Sequence, residues 1–268
     1  MEDVKQYKYA TTNNKEIDIF YVTPEMIDEE TRIIFVMHGC LRNAEDYIEK
    51  WKELTNENMV VIFPKFSEDA FMEVEYNYGN VNSGYGINDE NEWTFEEVDM
   101  IFLDFIIKLR LNIKKYILYG HSAGAQFVHR YMLLNESLCL DFAISANAGC
   151  YTVLSEEHKF PYGISDLVAN KERMLRNLQK RFYVMVGSKY IDPNHAHFPQ
   201  DRTFDFEGTN RYERGHSFYN YACKYARENK IKHKWHFVIM KNVSHNNEDT
   251  IPYVIEILRD TKWYLYKN

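Results

Sequence analysis

Residues 116–124 read YILYGHSAG, and this short stretch decides the fold. An apolar, partly aromatic run ends at Gly120, and an apolar helical pattern begins just after Ser122. The first half is typical of a buried strand and the second half of a helix. Gly120 and Gly124 allow a backbone corner that is too tight for residues with a Cβ atom. The stretch therefore predicts a strand, a sharp turn at Ser122, and a helix over residues 123–134.

The same alternation of short apolar runs and longer helical patterns continues along the chain. Strands are predicted at residues 17–22, 32–37, 59–63, 116–119, 142–146, 181–186 and 234–240, with Pro64 ending the third of them. Helices are predicted at residues 43–56, 94–109, 123–134, 170–180, 217–229 and 250–266. Strands that alternate with helices are typical of a mostly parallel sheet with helices on both faces. We therefore expect an α/β fold, with residues 1–268 forming a single domain.

Two longer segments interrupt the alternation: the first insertion (residues 65–93) and the second insertion (residues 151–180). The first is polar, rich in Asn and Gly, and without a regular period, and the second contains Pro161 and Gly163. Segments of this size on an α/β domain are usually functional, and in a doubly wound sheet they gather over the carboxyl ends of the strands. Both are expected to form cap-like insertions that shape a site, with ordinary surface insertions as the alternative.

The composition limits the partners and the location. The chain has 268 residues, a formal charge of -8 and a pI near 5.7, which argues against nucleic acid or an anionic membrane as the main partner. No apolar run reaches the ~18 residues of a membrane span, and the first residues lack a signal-peptide pattern. The four cysteines form no C-x-x-C pair and are expected to be reduced thiols. These features favour a cytoplasmic protein, and they leave a homo-oligomer open.

A G-x-S-x-G sequence between a strand and a helix has a mechanical meaning, because the turn lifts the serine hydroxyl clear of the sheet. Ser122 is therefore the predicted nucleophile, and a turn that merely links strand to helix is the alternative. A serine needs a base within hydrogen-bond reach, which in turn needs an orienting acid. If the serine corner belongs to a fold of the hydrolase type, the chain order is serine, then acid, then histidine, and the histidine follows the last strand. His245, after residues 234–240, is the predicted base.

The acid is expected after the preceding strand, at residues 181–186. Three residues beyond the glycine that ends this strand, where the acid usually lies, the sequence has Tyr190. The next acidic residue is Asp192, which we predict as the third member of the triad. Asp201 and Asp205 lie in the same segment after the strand at residues 181–186 and are the alternatives.

An oxyanion that forms at the serine needs two N–H donors. The residue after the nucleophile, Ala123, is predicted to supply one. The second is expected from the loop after the strand at residues 32–37, where Gly39 lets the backbone turn in closely. Cys40 N–H is the predicted second donor, with Leu41 as the alternative.

Other residues around these motifs are candidates for substrate or metal binding. Candidates for substrate contact are His38, Leu41, Arg42, His121 and Arg214. The three arginines Arg42, Arg211 and Arg214 are expected either to hold a carboxylate or to brace loops. His216 is expected near the start of a helix in a structural role. His195 and His197 could suggest a metal site, but Pro193 and Pro199 break a regular strand there, and a polar loop is favoured. Neither a metal nor a cofactor is predicted.

At these residues the chain resembles the α/β-hydrolase family, through HGC after the strand at residues 32–37, GHSAG at the corner, Asp192 and His245. More narrowly it is similar to the poly(3-hydroxybutyrate) depolymerase-like esterases. HGCLRNAEDY (38–47) is similar to their HGxxRNAxDY segment, and EYNYGN (75–80) to a YNxGN stretch. DPNHAHFP (192–199) resembles DPxHxxLP, and RGHSFY (214–219) resembles RGxxFY.

The resemblance implies an α/β-hydrolase fold and a serine hydrolase that cleaves a small carboxylic ester through a Ser-His-Asp triad and an acyl-enzyme. It does not imply that the chain degrades a polymer, since neither a secretion signal nor a polymer-binding domain is visible. A thioesterase or peptidase with the same triad is one alternative. A non-catalytic ligand-binding member of the fold is another, and a metal-dependent hydrolase around His195 is a third.

Overall fold

The computed structural model describes residues 4–189 and 206–265, without the side chains of residues 261–265. Its described part contains a sheet of eight strands: β1 (Lys5–Ala10), β2 (Glu16–Val22), β3 (Arg32–Met37), β4 (Met59–Lys65), β5 (Tyr116–His121), β6 (Leu140–Ala146), β7 (Phe182–Gly187) and β8 (Trp235–Met240). The strand order is β1-β2-β4-β3-β5-β6-β7-β8. The pairs β1–β2 and β2–β4 are antiparallel, and all the others are parallel. The mostly parallel sheet predicted from the sequence is confirmed.

Helices cover both faces of this sheet. They are α1 (Ala44–Trp51), α2 (Glu73–Asn77), α3 (Glu96–Lys108), α4 (Ala123–Leu134), α5 (Lys171–Asn177), α6 (Arg211–Glu228) and α7 (Ile251–Leu265). One face packs against α1 and α7, and the opposite face packs against the helices α2 to α6. None of the helices in the described part of the chain has the length and apolar content needed to span a bilayer.

The central strands are apolar throughout because both of their faces are covered. In β3, Ile33, Phe35 and Met37 belong to the core on one side of the sheet, while Ile34 and Val36 belong to the core on the other side. Burial of each such side chain contributes about 1.5–3 kcal/mol. A strand in this position reads as a continuous apolar run, which is the pattern seen in the sequence.

Several element boundaries differ from the sequence prediction. Pro64 does not end β4, because the strand's pairing with β3 stops at Ile62 and Pro64 then pairs only with Ile19 of β2. With a neighbour on one side only, a proline without an N–H is tolerated. The helix predicted over residues 43–56 divides into α1 and a 3₁₀ turn at Lys52–Glu57.

Helix α6 also begins earlier than predicted. Asn210 caps it, with its side-chain oxygen accepting a hydrogen bond from the Glu213 N–H at 3.0 Å. His216 therefore lies within the second turn of α6 and not at the helix start. Its Nδ1 lies 3.1 Å from the Asn220 side-chain amide on the exposed surface.

Arg130 of α4 joins the two insertions to the body of the sheet. The guanidinium is fully buried and donates to the Asn77 carbonyl of the first insertion at 3.0 Å. It also donates to the Thr152 hydroxyl at 2.9 Å and to the Pro161 carbonyl at 3.4 Å, both in the second insertion. A buried cation is tolerated only when its donors are satisfied, so this residue fixes both insertions to the helix that follows the Ser122 corner. The assignment of the whole chain to one domain remains a prediction.

Candidate active site

Ser122 lies at the corner between β5 and α4 with φ 57° and ψ −112°. A non-glycine residue with such a positive φ is strained, at a cost of about 1–3 kcal/mol that the surroundings must offset. The surroundings do so through the backbone, since the Ser122 N–H donates to the Ala146 carbonyl at 3.0 Å and its carbonyl accepts from the Gln126 N–H at 3.1 Å. The structure thus has the sharp turn that the G-x-S-x-G pattern predicts.

The two glycines of the corner allow three backbones to approach one another. A Cβ on Gly120 would lie 2.2 Å from the carbonyl oxygen of Gly124. A Cβ on Gly124 would lie 2.3 Å from the Met37 carbonyl oxygen at the end of β3. Because these contacts are with main-chain atoms, they cannot be relieved by a side-chain rotation. The glycines therefore seat α4 directly against β3 and β5 and place Ser122 at the carboxyl edge of the sheet.

The loop after β8 brings His245 to this corner. His245 Nε2 lies 3.1 Å from Ser122 Oγ, within the range required of a general base. The imidazole is half-buried. The structure therefore places the serine and the histidine predicted from the sequence in direct contact.

Neighbouring residues hold this loop from two sides. Asn147, which follows β6, donates from its side-chain amide to the Ser244 carbonyl at 3.0 Å. On the other side, the Trp51 indole N–H of α1 donates to the side-chain oxygen of Asn247 at 3.0 Å. The position of His245 is thus fixed by contacts on both sides of it in the sequence.

The predicted acid Asp192 lies outside the described residues, as do Asp201, Asp205, His195 and His197. The third member of the triad therefore stays a prediction. Within residues 4–189 and 206–265, no group of three or more His, Cys, Asp or Glu side chains is arranged to hold a metal ion.

The loop after β3 lies beside the serine. A Cβ on Gly39 would stand 3.8 Å from the Ser122 Cβ. The loop is held by His38, whose Nδ1 is 3.0 Å from the Gly39 carbonyl and whose Nε2 accepts from the Phe66 N–H at 3.1 Å. Burial lowers the pKa of His38 to about 3, so the ring is neutral. His38 is fully buried and supports the loop, in contrast to the substrate contact expected from the sequence.

A pocket of about 480 Å³ opens at this corner. It is bounded by the loop at residues 39–41, by one side of α1, by His121 and Ser122, and by residues 245–248. Cys40 and Leu41 are exposed, with 66% of Leu41 accessible to solvent. The predicted oxyanion residue Cys40 and the predicted contact residues Leu41 and His121 therefore lie at the pocket, and Ala123 begins α4 directly after the serine.

The structure directs Arg42 and Arg214 into the protein and not into this pocket. Arg42 donates to the Phe66 carbonyl at 2.8 Å and lies 4.3 Å from the centre of the Tyr76 ring. Arg214 is buried and donates to the Gly149 carbonyl at 2.9 Å. Buried guanidinium groups need acceptors, and the main chain supplies them here. Of the two roles expected for Arg42 and Arg214, substrate contact and the bracing of loops, these contacts fit the second.

Two features of the site escaped the sequence analysis. Tyr47 closes the HGCLRNAEDY segment, and its hydroxyl lies 3.0 Å from His121 Nδ1 at the pocket wall. Lys50 and Glu248 form an ion pair of 3.0 Å between α1 and the loop after β8, and both line the pocket. The helical spacing of Tyr47 and Lys50 places them on one side of α1, but only the tertiary structure shows which side faces the serine.

Comparison with solved structures gives close overall agreement. Poly(aspartic acid) hydrolase-1 from Sphingomonas sp. KT-1 superposes with a TM-score of 0.89 at 29% identity, over 94% of this chain and 97% of that one. LpqC, a poly(3-hydroxybutyrate) depolymerase from Bordetella parapertussis, gives 0.85 at 22% identity, over 92% and 86% of the two chains. The siderophore hydrolase EstA from Aspergillus nidulans gives 0.59 at 12% identity, over 97% and 95%. No protein-family model and no curated protein matches the sequence.

The sheet order, the strained serine corner and these likenesses define the class. The chain has the α/β-hydrolase fold. Within that fold it is similar to an esterase-like group of hydrolases, as the sequence resemblance implied.

Proposed function

We propose that this protein is a serine hydrolase that cleaves small carboxylic esters. The observation that carries the proposal is the 3.1 Å contact between Ser122 Oγ and His245 Nε2 at a strained corner. A hydroxyl held in this way loses its proton to the imidazole as it attacks a carbonyl. The similarity to hydrolases of the same fold supports an enzyme of this type.

The reaction proceeds in two stages. His245 Nε2 takes the proton of Ser122 as Oγ attacks the ester carbonyl, and the N–H groups of Cys40 and Ala123 hold the resulting oxyanion. His245 then gives that proton to the departing alkoxide, leaving an acyl-enzyme and a free alcohol. A water molecule, deprotonated by His245, attacks the acyl group and releases the acid, and the proton returns to Oγ. Asp192 orients the histidine and stabilises its imidazolium form.

Helix α4 adds to the stabilisation of negative charge. Its first residue follows Ser122 directly, so its unpaired N–H groups and the positive end of its dipole face the reacting oxygen. A charge at this terminus gains typically 0.3–1 kcal/mol from the dipole, and more where the site is partly buried.

The charges of the pocket bear on the substrate. The described residues that line it include one cation and two carboxylates, Lys50, Asp46 and Glu248. This arrangement gives no built site for a polyanion, so the poly(aspartic acid) in the name of one neighbour is not transferred to this chain. A small uncharged ester fits the pocket better. The thioesterase and peptidase alternatives use the same side chains and differ only in the bond that is cleaved.

The test combines covalent labelling with turnover. A fluorophosphonate probe should label the wild-type protein at Ser122, and p-nitrophenyl acetate and butyrate should be hydrolysed. Ser122→Ala should lose the label and lower kcat by on the order of 10³-fold or more. Ser83→Ala, at an exposed serine of the first insertion, is the matched control and should behave as wild type.

Retention of turnover by Ser122→Ala would overturn the mechanism. Labelling of Ser122 together with hydrolysis of acyl thioesters or peptides, but not of any ester in the series, would replace the ester proposal with one of its two alternatives. A protein that neither reacts with the probe nor turns over substrate would be a ligand-binding member of the fold.

A further inference from the structure

A buried pair of polar side chains lies in the wall of the pocket, and neither member is the nucleophile or the base. Tyr47 of α1 and His121, the last residue of β5, are in contact through Tyr47 Oη and His121 Nδ1 at 3.0 Å. Only 6% of Tyr47 and 4% of His121 is exposed, and both line the pocket that contains Ser122. His121 is the residue immediately before the nucleophile, so this pair is adjacent to the reacting atoms in both sequence and space.

Tyr47 packs against the oxyanion loop. A Cβ on Gly39 would stand 3.1 Å from the Tyr47 hydroxyl and 3.8 Å from the Ser122 Cβ. The hydroxyl, the Gly39 backbone and the serine therefore surround one small space. Any movement of the tyrosine ring toward the serine would displace the peptide that precedes Cys40.

His121 packs against the base. Its ring centre lies 4.7 Å from that of His245, with the planes tilted by 37°. His121 Nε2 is buried and makes no hydrogen bond of standard geometry. The backbone of His245 nevertheless interacts with the His121 ring, and this interaction partly opposes the lowering of the His121 pKa by burial. His121 thus connects the pair to the loop that contains the base His245.

Both members of the pair are neutral at ordinary pH. Burial lowers the pKa of His121 to about 3, and the positive charge of Arg211 acts in the same direction. Burial raises the pKa of Tyr47 above its usual value, so its hydroxyl keeps its proton. The Tyr47 O–H can then donate to Nδ1, which leaves the proton of His121 on Nε2, toward His245. No positive charge is added beside the imidazolium that forms on His245 during the reaction.

We propose that Tyr47 and His121 form a positioning pair that fixes the oxyanion loop at Gly39 relative to the base His245. The inference rests on the proposed function, because it assigns these residues a role in that reaction. Helix α1 is a rigid support for the pair, since Ile48 and Trp51 bury its inner side in the core. Donors in an oxyanion hole act only when they are aligned, and a displacement of about 1 Å can cost 10²-fold in rate.

The test is a double-mutant cycle on ester hydrolysis. Tyr47→Phe removes one hydroxyl with little change of shape, and His121→Leu removes the acceptor. Each is expected to lower kcat by between ~10- and ~100-fold, with KM changed by less than about 3-fold, because alignment in the transition state and not ground-state binding is lost. The double variant should be no slower than the slower single variant, since both changes break the same pair. His121→Asn, which keeps an acceptor near the Nδ1 position, should restore part of the rate.

Tyr131→Phe is the matched control. Tyr131 is also fully buried, and its hydroxyl donates to Asp99 at 3.0 Å, but this contact lies at the far end of α4 from the serine. It should lower the melting temperature without changing kcat. Thus a general loss of packing and a loss of alignment give different results.

Wild-type kcat in Tyr47→Phe would overturn the proposal, and so would fully additive losses in the double variant. Equal losses of kcat in Tyr47→Phe and Tyr131→Phe would also overturn it, because a purely structural effect would then suffice. Failure of the proposed function gives a separate result, since turnover would then survive in Ser122→Ala or be absent in the wild type, whatever the Tyr47 variants show.

Discussion

Ser122 Oγ and His245 Nε2 are 3.1 Å apart although the residues are separated by 123 positions in the sequence. Ser122 follows the central strand β5, and His245 follows β8 at the end of the sheet, with β6 and β7 between them. The contact therefore depends on the loop after β8 reaching back across the carboxyl ends of two strands. Its fixation by Asn147 and Trp51 explains how this reach is maintained.

Replacement of the base tests this contact. His245→Gln should lower kcat for p-nitrophenyl butyrate by on the order of 10³-fold or more, because Ser122 would lose its proton acceptor. The reaction with a fluorophosphonate should slow for the same reason, while the melting temperature stays close to that of the wild type. His236→Gln, at an exposed position of β8, is the control and should keep full activity. Wild-type turnover in His245→Gln would show that another group serves as the base.

The close approach at the serine corner predicts a stability effect. Gly124→Ala would place a Cβ 2.3 Å from the Met37 carbonyl, so α4 or β3 must move. We expect a loss of about 1–3 kcal/mol or more in the free energy of unfolding, and loss of activity in the molecules that remain folded. In Gly84→Ala the new Cβ meets nothing within 4 Å, and only the strain of φ +90° remains. Denaturant unfolding of the two variants should rank Gly124→Ala as the more destabilised, and the reverse order would contradict the packing described.

The cation that joins the insertions predicts a second stability effect. Arg130→Met would remove a buried donor from the Asn77 carbonyl, the Thr152 hydroxyl and the Pro161 carbonyl, of which the last two keep their own hydrogen bond of 2.7 Å. Each lost partner costs about 1–3 kcal/mol, so a fall of several kcal/mol is expected in urea unfolding. Arg259→Met removes a guanidinium from an exposed pair with Glu57 and should leave the unfolding midpoint almost unchanged. Equal midpoints for the two variants would show that Arg130 does not fix the insertions.

A buried carboxyl predicts a pH effect. Burial raises the pKa of Glu207 from 4.5 to about 8, although the Tyr151 N–H donates to its Oε2 at 3.0 Å. The folded state therefore binds this proton more tightly than the unfolded chain, and the stability that the group contributes below pH 4.5 is lost as the pH rises toward 8. Glu207→Gln keeps an acceptor and does not ionise. The melting temperature of Glu207→Gln, measured relative to that of the wild type, should thus increase as the pH is raised from 5 to 9.

The exposed carboxylate Glu25 provides the comparison. The difference in melting temperature between Glu25→Gln and the wild type should stay constant over the same pH range. A constant difference for Glu207→Gln as well would mean that Glu207 is ionised in the folded protein at every pH tested.

The sequence predicted correctly those parts of the fold in which the local pattern of apolar residues matches the burial of the element in the folded protein. Strands β3 and β5 are apolar on both faces because both faces are buried. The corner at Ser122 requires glycines, and these can be identified directly in the sequence. Strand β1 was missed because it is mostly exposed at the sheet edge, and KQYKYA lacks an apolar run. Pro64 was misinterpreted since its tolerance depends on which strand lies beside it.

For the site, the sequence order of nucleophile and base was sufficient to predict that Ser122 and His245 would meet. The directions of Arg42 and Arg214 were not predictable in the same way. Both are buried cations that donate to main-chain carbonyls. Every residue has such a carbonyl, so the amino-acid sequence does not indicate which one will be the acceptor. Tyr47 was overlooked for a related reason, because its hydroxyl becomes significant only through contact with a residue 74 positions away.

The strand order has a consequence for heating. The nucleophile follows β5, which is paired on both sides, whereas the base follows β8, which is the terminal strand of the sheet in the described part of the chain and is paired with β7. Terminal strands open locally at a lower free energy than central ones. Amide protons of β8 should therefore exchange with solvent sooner than those of β5, and the protein should inactivate reversibly a few degrees below the temperature at which its sheet melts.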